Sequence, residues 1–327
     1  MKRYTLLLNG GIGKHVCATT LLRHIQEKEP DSQITVISGY PEVFLFNPRV
    51  HRNLHFMTSY VFDDYIHGTD LRIGDPYHLM EYYGNEKHIS QVFPKAYRFE
   101  SENENIYPEL YVGDEEQRKV KEFVMQSKNP IITIQATGGN QMMQSPHKDP
   151  RQFSPRDLSL EVAQKIVDIC VARGFNVIQI ALPQEYHLKN VVIFEGQPFR
   201  SYIPIIPHIT AHIGIDSAMM HAVAAFTKPA LIFWNNTNAN TLGYPHMLNI
   251  HRDKCPNPMC SRPHVGMPDQ VPEGGWQCPY KLECQKWTLE EIEVSVSKFL
   301  ENLPKVEKKP PVRIPLGCAN KECPKDL

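Results

Sequence analysis

The pair Asp216-Ser217, followed one helical turn later by His221, carries the clearest chemistry in the chain. Ahead of it lies an apolar run, Ala211–Ile215, long enough for a buried strand. After it comes a helical pattern over Ala218–Phe226, stopped by Lys228-Pro229, and then a second apolar run, Ala230–Trp234. Strand, helix and strand in that order form a βαβ unit and require a parallel sheet. In such sheets ligands bind at the carboxyl ends of the strands, which is where Asp216 falls. The free N–H groups and partial positive charge of the following helix suit a phosphate. A plainer reading stays open, in which Asp216 or Ser217 only caps the helix and His221 only decorates its face.

Two glycine turns repeat this design. The first, Asn9-Gly10-Gly11-Ile12-Gly13-Lys14-His15, follows the buried strand Tyr4–Leu8 and opens a helix with Leu21, Leu22 and Ile25 inside. It is not a Walker loop, because Leu8 stands where the leading glycine should be and His15 where Ser or Thr should follow Lys14. It is not the dinucleotide fingerprint either, because Val16 occupies the place of the last glycine. The second turn, Ala136-Thr137-Gly138-Gly139-Asn140, follows the apolar run Ile131–Gln135. Glycine in both turns lets backbone approach a ligand closely. A third set is Cys255, Cys260, Cys278 and Cys284 in one stretch without regular pattern, 235–287. A segment that long is functional or pinned. Metal binding, free thiols and disulfides all remain open, since the spacing lacks the diagnostic C-x2-C.

The elements that must position these groups divide into two α/β halves. The first continues with a strand at Ile34–Ser38 and a short helix at Pro41–Phe46 ended by Asn47-Pro48. Residues 51–110 carry Asp63, Asp64, Asp70 and Asp75 and show little periodicity, which predicts irregular structure with short helices. A charged helical stretch, Gly113–Asn129, marks the boundary. In the second half, Ser154 and Pro155 read as the cap and first residue of a helix that ends at Gly174. Strands follow at Asn176–Ala181 and Val191–Phe194. Thr288 and Glu291 form a capping box before a helix with Leu289, Ile292, Val296, Phe299 and Leu303 on one side. The expected domains are 1–125, 126–304 with a Cys-rich loop at 255–284, and an extended Pro- and Lys-rich tail at 305–327.

Composition sets outer limits. The chain has 327 residues, 41% hydrophobic and 22% charged, which describes a core-forming globular protein. A net charge of -1 gives no global signature of a nucleic-acid or membrane binder. Six of the eight cysteines follow residue 254, and no apolar run approaches a membrane span or a signal-peptide core. These features predict a soluble cytoplasmic protein.

The pattern resembles glycosyltransferase family 9, the ADP-heptose:lipopolysaccharide heptosyltransferases, over most of the chain. Leu6–Gly13 is similar to that family's strand and G-x-x-G loop, and Pro41–Pro48 to its element before Asn-Pro. Ile131–Gly139 resembles the opening strand of its second domain, and Lys148 sits near its donor-binding lysine. Gly214-Ile215-Asp216-Ser217-x-x-x-His221 resembles its D-[S/T]-G-x-x-H element. The Cys-bearing segment before Thr288-Leu289-Glu290-Glu291 is similar to its C-terminal end. The resemblance implies the α/β GT-B fold, two Rossmann-like domains facing a central cleft. It also implies an inverting transfer from a nucleotide sugar to a hydroxyl, with the nucleotide sugar as co-substrate and no redox cofactor. Some protein-heptosylating relatives suggest a structural Zn or Fe on Cys255, Cys260, Cys278 and Cys284.

Two departures stand out. The family's catalytic aspartate after the first glycine loop is Lys14 here, and its glycine after Asp-Ser is Ala218. The resemblance then implies a donor diphosphate held by Thr137, Gly138, Gly139, Ser217 and neighbouring N–H groups, with Gly11 and Gly13 facing it. Lys148 and His221 would offset its charge, and Asp216 would orient the loop or a sugar hydroxyl. The base would be His15 or an acid among Asp63–Asp75, and Lys14 would bind a phosphate or acceptor oxygen. Glycan, protein and modified DNA all remain open as acceptor, as does a nucleotide-binding module without catalysis. Oligomeric state is not legible.

Overall fold

The computed structural model describes residues 1–100, 104–125, 127–138, 156–183, 185–252 and 283–303. In the first half, strands β1 (Arg3–Leu8), β2 (Gln33–Ser38), β3 (Arg52–His55) and β4 (Asp70–Ile73) make one sheet. Its order is β3-β2-β1-β4, with every pair parallel. Helix α1 (Ile12–Lys28) follows the first glycine turn, and every residue from Lys14 to Ile25 is buried. The region expected to be irregular thus contains two strands. Both are short, lie at the sheet's edges and carry mixed sequences, RNLH and DLRI, so they show neither an apolar run nor a clean alternation. Short helices α2 (Met80–Tyr83) and α3 (Ile89–Ala96) follow, as the sequence suggests, and α4 (Asp114–Met125) leads to the second half.

The second sheet holds β5 (Ile131–Gln135), β6 (Asn176–Ala181), β7 (Val192–Glu195), β8 (Ala211–Ile215), β9 (Ala230–Trp234) and β10 (Leu248–His251). Its order is β10-β9-β8-β5-β6-β7, again all parallel. Helices α5 (Leu160–Ala172), α6 (Ala218–Ala225), α7 (Ala239–Leu242) and α8 (Leu289–Glu301) complete it. α6 and α8 begin as expected. Ser217 accepts the Met220 N–H, and Thr288 and Glu291 cap reciprocally. Leu289 is exposed, whereas Ile292, Val296, Phe299 and Leu303 are buried.

α5 starts later than Ser154, a residue outside those described. Its cap is Ser159, whose hydroxyl accepts the Val162 N–H. The physical reason lies just before it. Leu158 N–H donates to the Ala136 carbonyl and the Asp157 carboxylate accepts the Gly138 N–H, which keep residues 157–158 extended along the end of β5. The stretch 235–287 is also less irregular than expected, since it contains α7, β10 and a short 3-10 turn at Glu283–Gln285.

One apolar cluster joins the two halves. Leu6, Leu8, Val16, Leu21 and Leu22 of the first share it with Met219, Met220, Val223, Trp234 and Tyr244 of the second. A second cluster packs α5 and α8 on the other face of the second sheet through Val162, Ile166, Ile292, Val296 and Phe299. No helix among the described residues is long and apolar enough to cross a membrane.

Candidate active site

Strand order locates two crevices. In the second sheet the chain runs outward from β5 through β6 to β7, then returns to β8 on β5's other side and runs outward to β10. The direction reverses between β5 and β8, so the loops leaving their carboxyl ends part and leave a crevice. Thr137-Gly138 leaves β5 there, and Asp216-Ser217 leaves β8. The first sheet has the same reversal between β1 and β4. The turn Asn9–Gly13 leaves β1, and Gly74-Asp75 leaves β4.

At the β5/β8 crevice the central cation is Arg156, which the sequence does not single out. Its Nη1 donates to the Asp216 carbonyl at 3.3 Å and lies 3.6 Å from Asp216 Oδ2. The guanidinium also covers Gly138, where an added Cβ would meet Nη2 at 3.4 Å. Asn235, just past β9, accepts the Trp287 indole N–H at 2.7 Å and donates to the carbonyls of Arg156 and Asp157 at 2.8 and 3.2 Å. Arg156 is therefore held from below by its backbone while its side chain bridges the two loops. Thr137 is buried beside Glu185, whose Oε2 accepts the Leu182 N–H at 2.8 Å. Burial raises the Glu185 pKa. Gly139 and Lys148 lie outside the described residues.

His221, one turn into α6, reaches Tyr244 and, in the first half, Cys17. It is buried, and its Nδ1 meets Tyr244 OH at 2.9 Å and Cys17 Sγ at 3.4 Å. Desolvation lowers its pKa to about 4. Its ring also meets the first glycine turn, since a Cβ on Gly13 would sit 3.1 Å from His221 Cδ2 and 3.5 Å from Ala218 Cα. Gly13 thus serves close packing of α1 against α6. Gly11, by contrast, borders open space. Gly11→Ala should leave the urea midpoint nearly unchanged, whereas Gly13→Val should lower stability by about 1–3 kcal/mol through overpacking. Equal midpoints for the two variants would refute this difference.

His15 is placed in a way that does not suit a base. It is buried, with Nδ1 2.9 Å from the Gly11 carbonyl and Nε2 3.3 Å from the Leu8 carbonyl. Both nitrogens face the backbone of the turn, and desolvation lowers the pKa. The ring holds the glycine turn in shape. Lys14, also buried, donates to Asn9 Oδ1 at 2.7 Å and pairs with Asp75 Oδ1 at 3.0 Å. Burial lowers its pKa and the Asp75 carboxylate partly restores it. Asp63, Asp64 and Asp70 are exposed, and Asp70 is tied to Arg72.

Among the described residues, no group of three or more His, Cys, Asp or Glu side chains could hold a metal ion. Cys255, Cys260 and Cys278 lie outside the described residues, and Cys284 is buried.

Two parallel α/β sheets with their reversal points turned toward each other define the GT-B fold. No model of a protein family and no curated protein sequence matches the chain. Solved structures do resemble it. The glycosyltransferase of family 9 from Veillonella parvula DSM 2008 matches with a TM-score of 0.65 and 12% identity, over 92% of this chain and 97% of that one. ADP-heptose LPS heptosyltransferase II from E. coli matches with a TM-score of 0.66 and 11% identity, over 92% and 99%. The iron-containing dodecameric glycosyltransferase TibC from enterotoxigenic E. coli H10407 matches with a TM-score of 0.63 and 10% identity, over 92% and 78%. At these identities the likeness is one of fold, and it spans both halves of the chain.

Proposed function

We propose that this protein is a glycosyltransferase that moves a sugar from a nucleotide-diphosphate carrier to a hydroxyl, with inversion at the anomeric carbon. The observation that carries this reading is Arg156, fixed between Gly138 and Asp216 at the β5/β8 crevice. A guanidinium beside glycine backbone and a helix N-terminus is suited to a diphosphate. It offsets the charge that grows on the leaving phosphate, the largest catalytic contribution in reactions of this kind. Its pairing with Asp216 keeps that carboxylate from repelling the donor, so Asp216 acts as an orienting group. Ser217 caps α6 by taking the Met220 N–H, and the N–H groups of Ala218 and Met219 are the ones offered to the ligand. Lys148 stays a candidate second cation, and Thr137 with Glu185 borders the donor's other end. His221 holds the halves together and does not contact the donor.

The fold supports this reading because structures with the same architecture carry glycosyltransferase names. One of those names specifies ADP-heptose, which makes an ADP-linked heptose the first donor to test. The acceptor would enter from the first half. No step requires a metal, and a metal on the cysteine segment would be structural.

A thermal-shift screen across nucleotide sugars and free nucleoside diphosphates tests this. A ligand bound only by the folded state raises the melting temperature with its concentration, by about 2.7 kcal/mol of stability at a hundredfold excess over Kd. A shift with one nucleotide family, matched by its free diphosphate, is expected. No shift with any of them would overturn the reading.

A further inference from the structure

We propose that Asp75 is the proton acceptor of the transfer and that Lys14 is its positioning residue. This rests on the glycosyltransferase reading above. As the acceptor's hydroxyl oxygen bonds to the anomeric carbon, its proton must pass to a group on the acceptor side of the cleft. The bond from that carbon to the donor phosphate oxygen breaks, and its electron pair leaves on the nucleoside diphosphate. The proton goes to the Asp75 carboxylate, which later returns it to water.

Three observations single out Asp75. It leaves β4 at the β1/β4 reversal, so it lies in the first half's crevice. Its neighbour Gly74 packs directly on the Ala96 carbonyl at the end of α3, where a Cβ could not fit, and this fixes the backbone that carries it. Its partner Lys14 follows Gly13, which packs on the start of α6, where an added Cβ would lie 3.5 Å from Ala218 Cα. Asp75 therefore lies on the side of the first half that packs on the β8–α6 turn, and Asp63, Asp64 and Asp70 are exposed.

Its surroundings fix the carboxylate in place. Oδ1 is 3.0 Å from Lys14 Nζ and accepts the Tyr77 N–H at 3.0 Å. Lys14 Nζ is itself held by Asn9 Oδ1 at 2.7 Å and lies 5.3 Å from the Tyr77 ring centroid. The ammonium is thus fixed between a β1 loop oxygen and a β4 loop oxygen. It orients the Asp75 carboxylate.

The test uses the full chain and the nucleotide sugar that shifts its melting temperature, with water as the acceptor and release of nucleoside diphosphate as the readout. Asp75→Asn should keep the thermal shift and lose release by about 10²–10⁴-fold, and Asp75→Glu should recover part of it. Lys14→Met should keep the thermal shift and lower release, and Lys14→Arg should recover part of it by restoring a cation beside Asp75. Release by Asp75→Asn at the wild-type rate would overturn the assignment. Loss of the donor shift along with release in Asp75→Asn would overturn it too, since that marks a structural role. If the wild-type protein binds no donor, the glycosyltransferase reading fails first and this assignment with it.

Discussion

Lowering the pH from about 7 to about 5 should remove on the order of 6 kcal/mol of stability and unfold much of the protein. Three buried histidines produce this effect. Desolvation lowers the pKa of His88 and His212 to about 3 and that of His221 to about 4. In the unfolded chain each takes a proton near pH 6.5. Below that value the unfolded state binds more protons than the folded one. Stability is therefore full above about pH 6.5 and falls as the pH drops toward the folded values. Each histidine loses about 1.4 kcal/mol per pH unit in that window, or about 2 kcal/mol at pH 5. The total is comparable with the whole stability of an ordinary domain. Urea midpoints measured across the window check the result. His212→Asn, which can still face the Thr133 hydroxyl that His212 Nδ1 meets at 3.0 Å, should reduce the loss by about a third. A flat profile from pH 7 to pH 5 would show that these rings are not buried neutral in solution.

Replacing Arg156 by alanine should weaken binding of a nucleoside diphosphate by about tenfold to a hundredfold. Hydrogen bonds between charged groups contribute about 1.5–3 kcal/mol each, and the variant loses at least one of them. It also leaves Asp216, which is 6% exposed, without the cation that offsets its charge, so repulsion of the diphosphate adds to the loss. Arg156→Lys should recover only part of the affinity, because an ammonium cannot span Gly138 and Asp216 as a planar fork does. Titration calorimetry with the diphosphate found in the thermal screen measures this. An unchanged Kd in a variant with a native near-ultraviolet spectrum would remove Arg156 from the donor site.

The central βαβ unit was legible because each of its parts is local. Ala211–Ile215 and Ala230–Trp234 are unbroken apolar runs, and Ser217 caps the helix between them. β3 and β4 were not legible, because a short, half-exposed edge strand leaves almost no pattern. The same division holds in the site. Asp216, Thr137 and Gly138 could be placed from their positions after buried strands. Arg156 could not, because its place depends on Asn235 holding its carbonyl and on the neighbouring Asp157 accepting the Gly138 N–H. Lys14 stood out in sequence as a cation after a glycine turn, but its partner Asp75 arrives through strand order. His15 and His221 show the limit most plainly. Their identities suggest acid–base work, and only the structure shows one turned to the carbonyls of its own loop and the other to Tyr244.

Arg252 closes β10 onto the segment before the last helix. Its Nη1 donates to the Glu283 carbonyl at 3.1 Å, and its guanidinium lies 5.9 Å from the Trp287 ring centroid. The chain thus departs at residue 252 and rejoins the domain at residue 283 at nearly the same place. A segment whose ends are already side by side can change length cheaply, since each doubling adds only about 0.6 kcal/mol of closure entropy. The Arg252–Glu283 clasp therefore sets where the two ends meet, and the closure cost of the chain between them depends only weakly on its length.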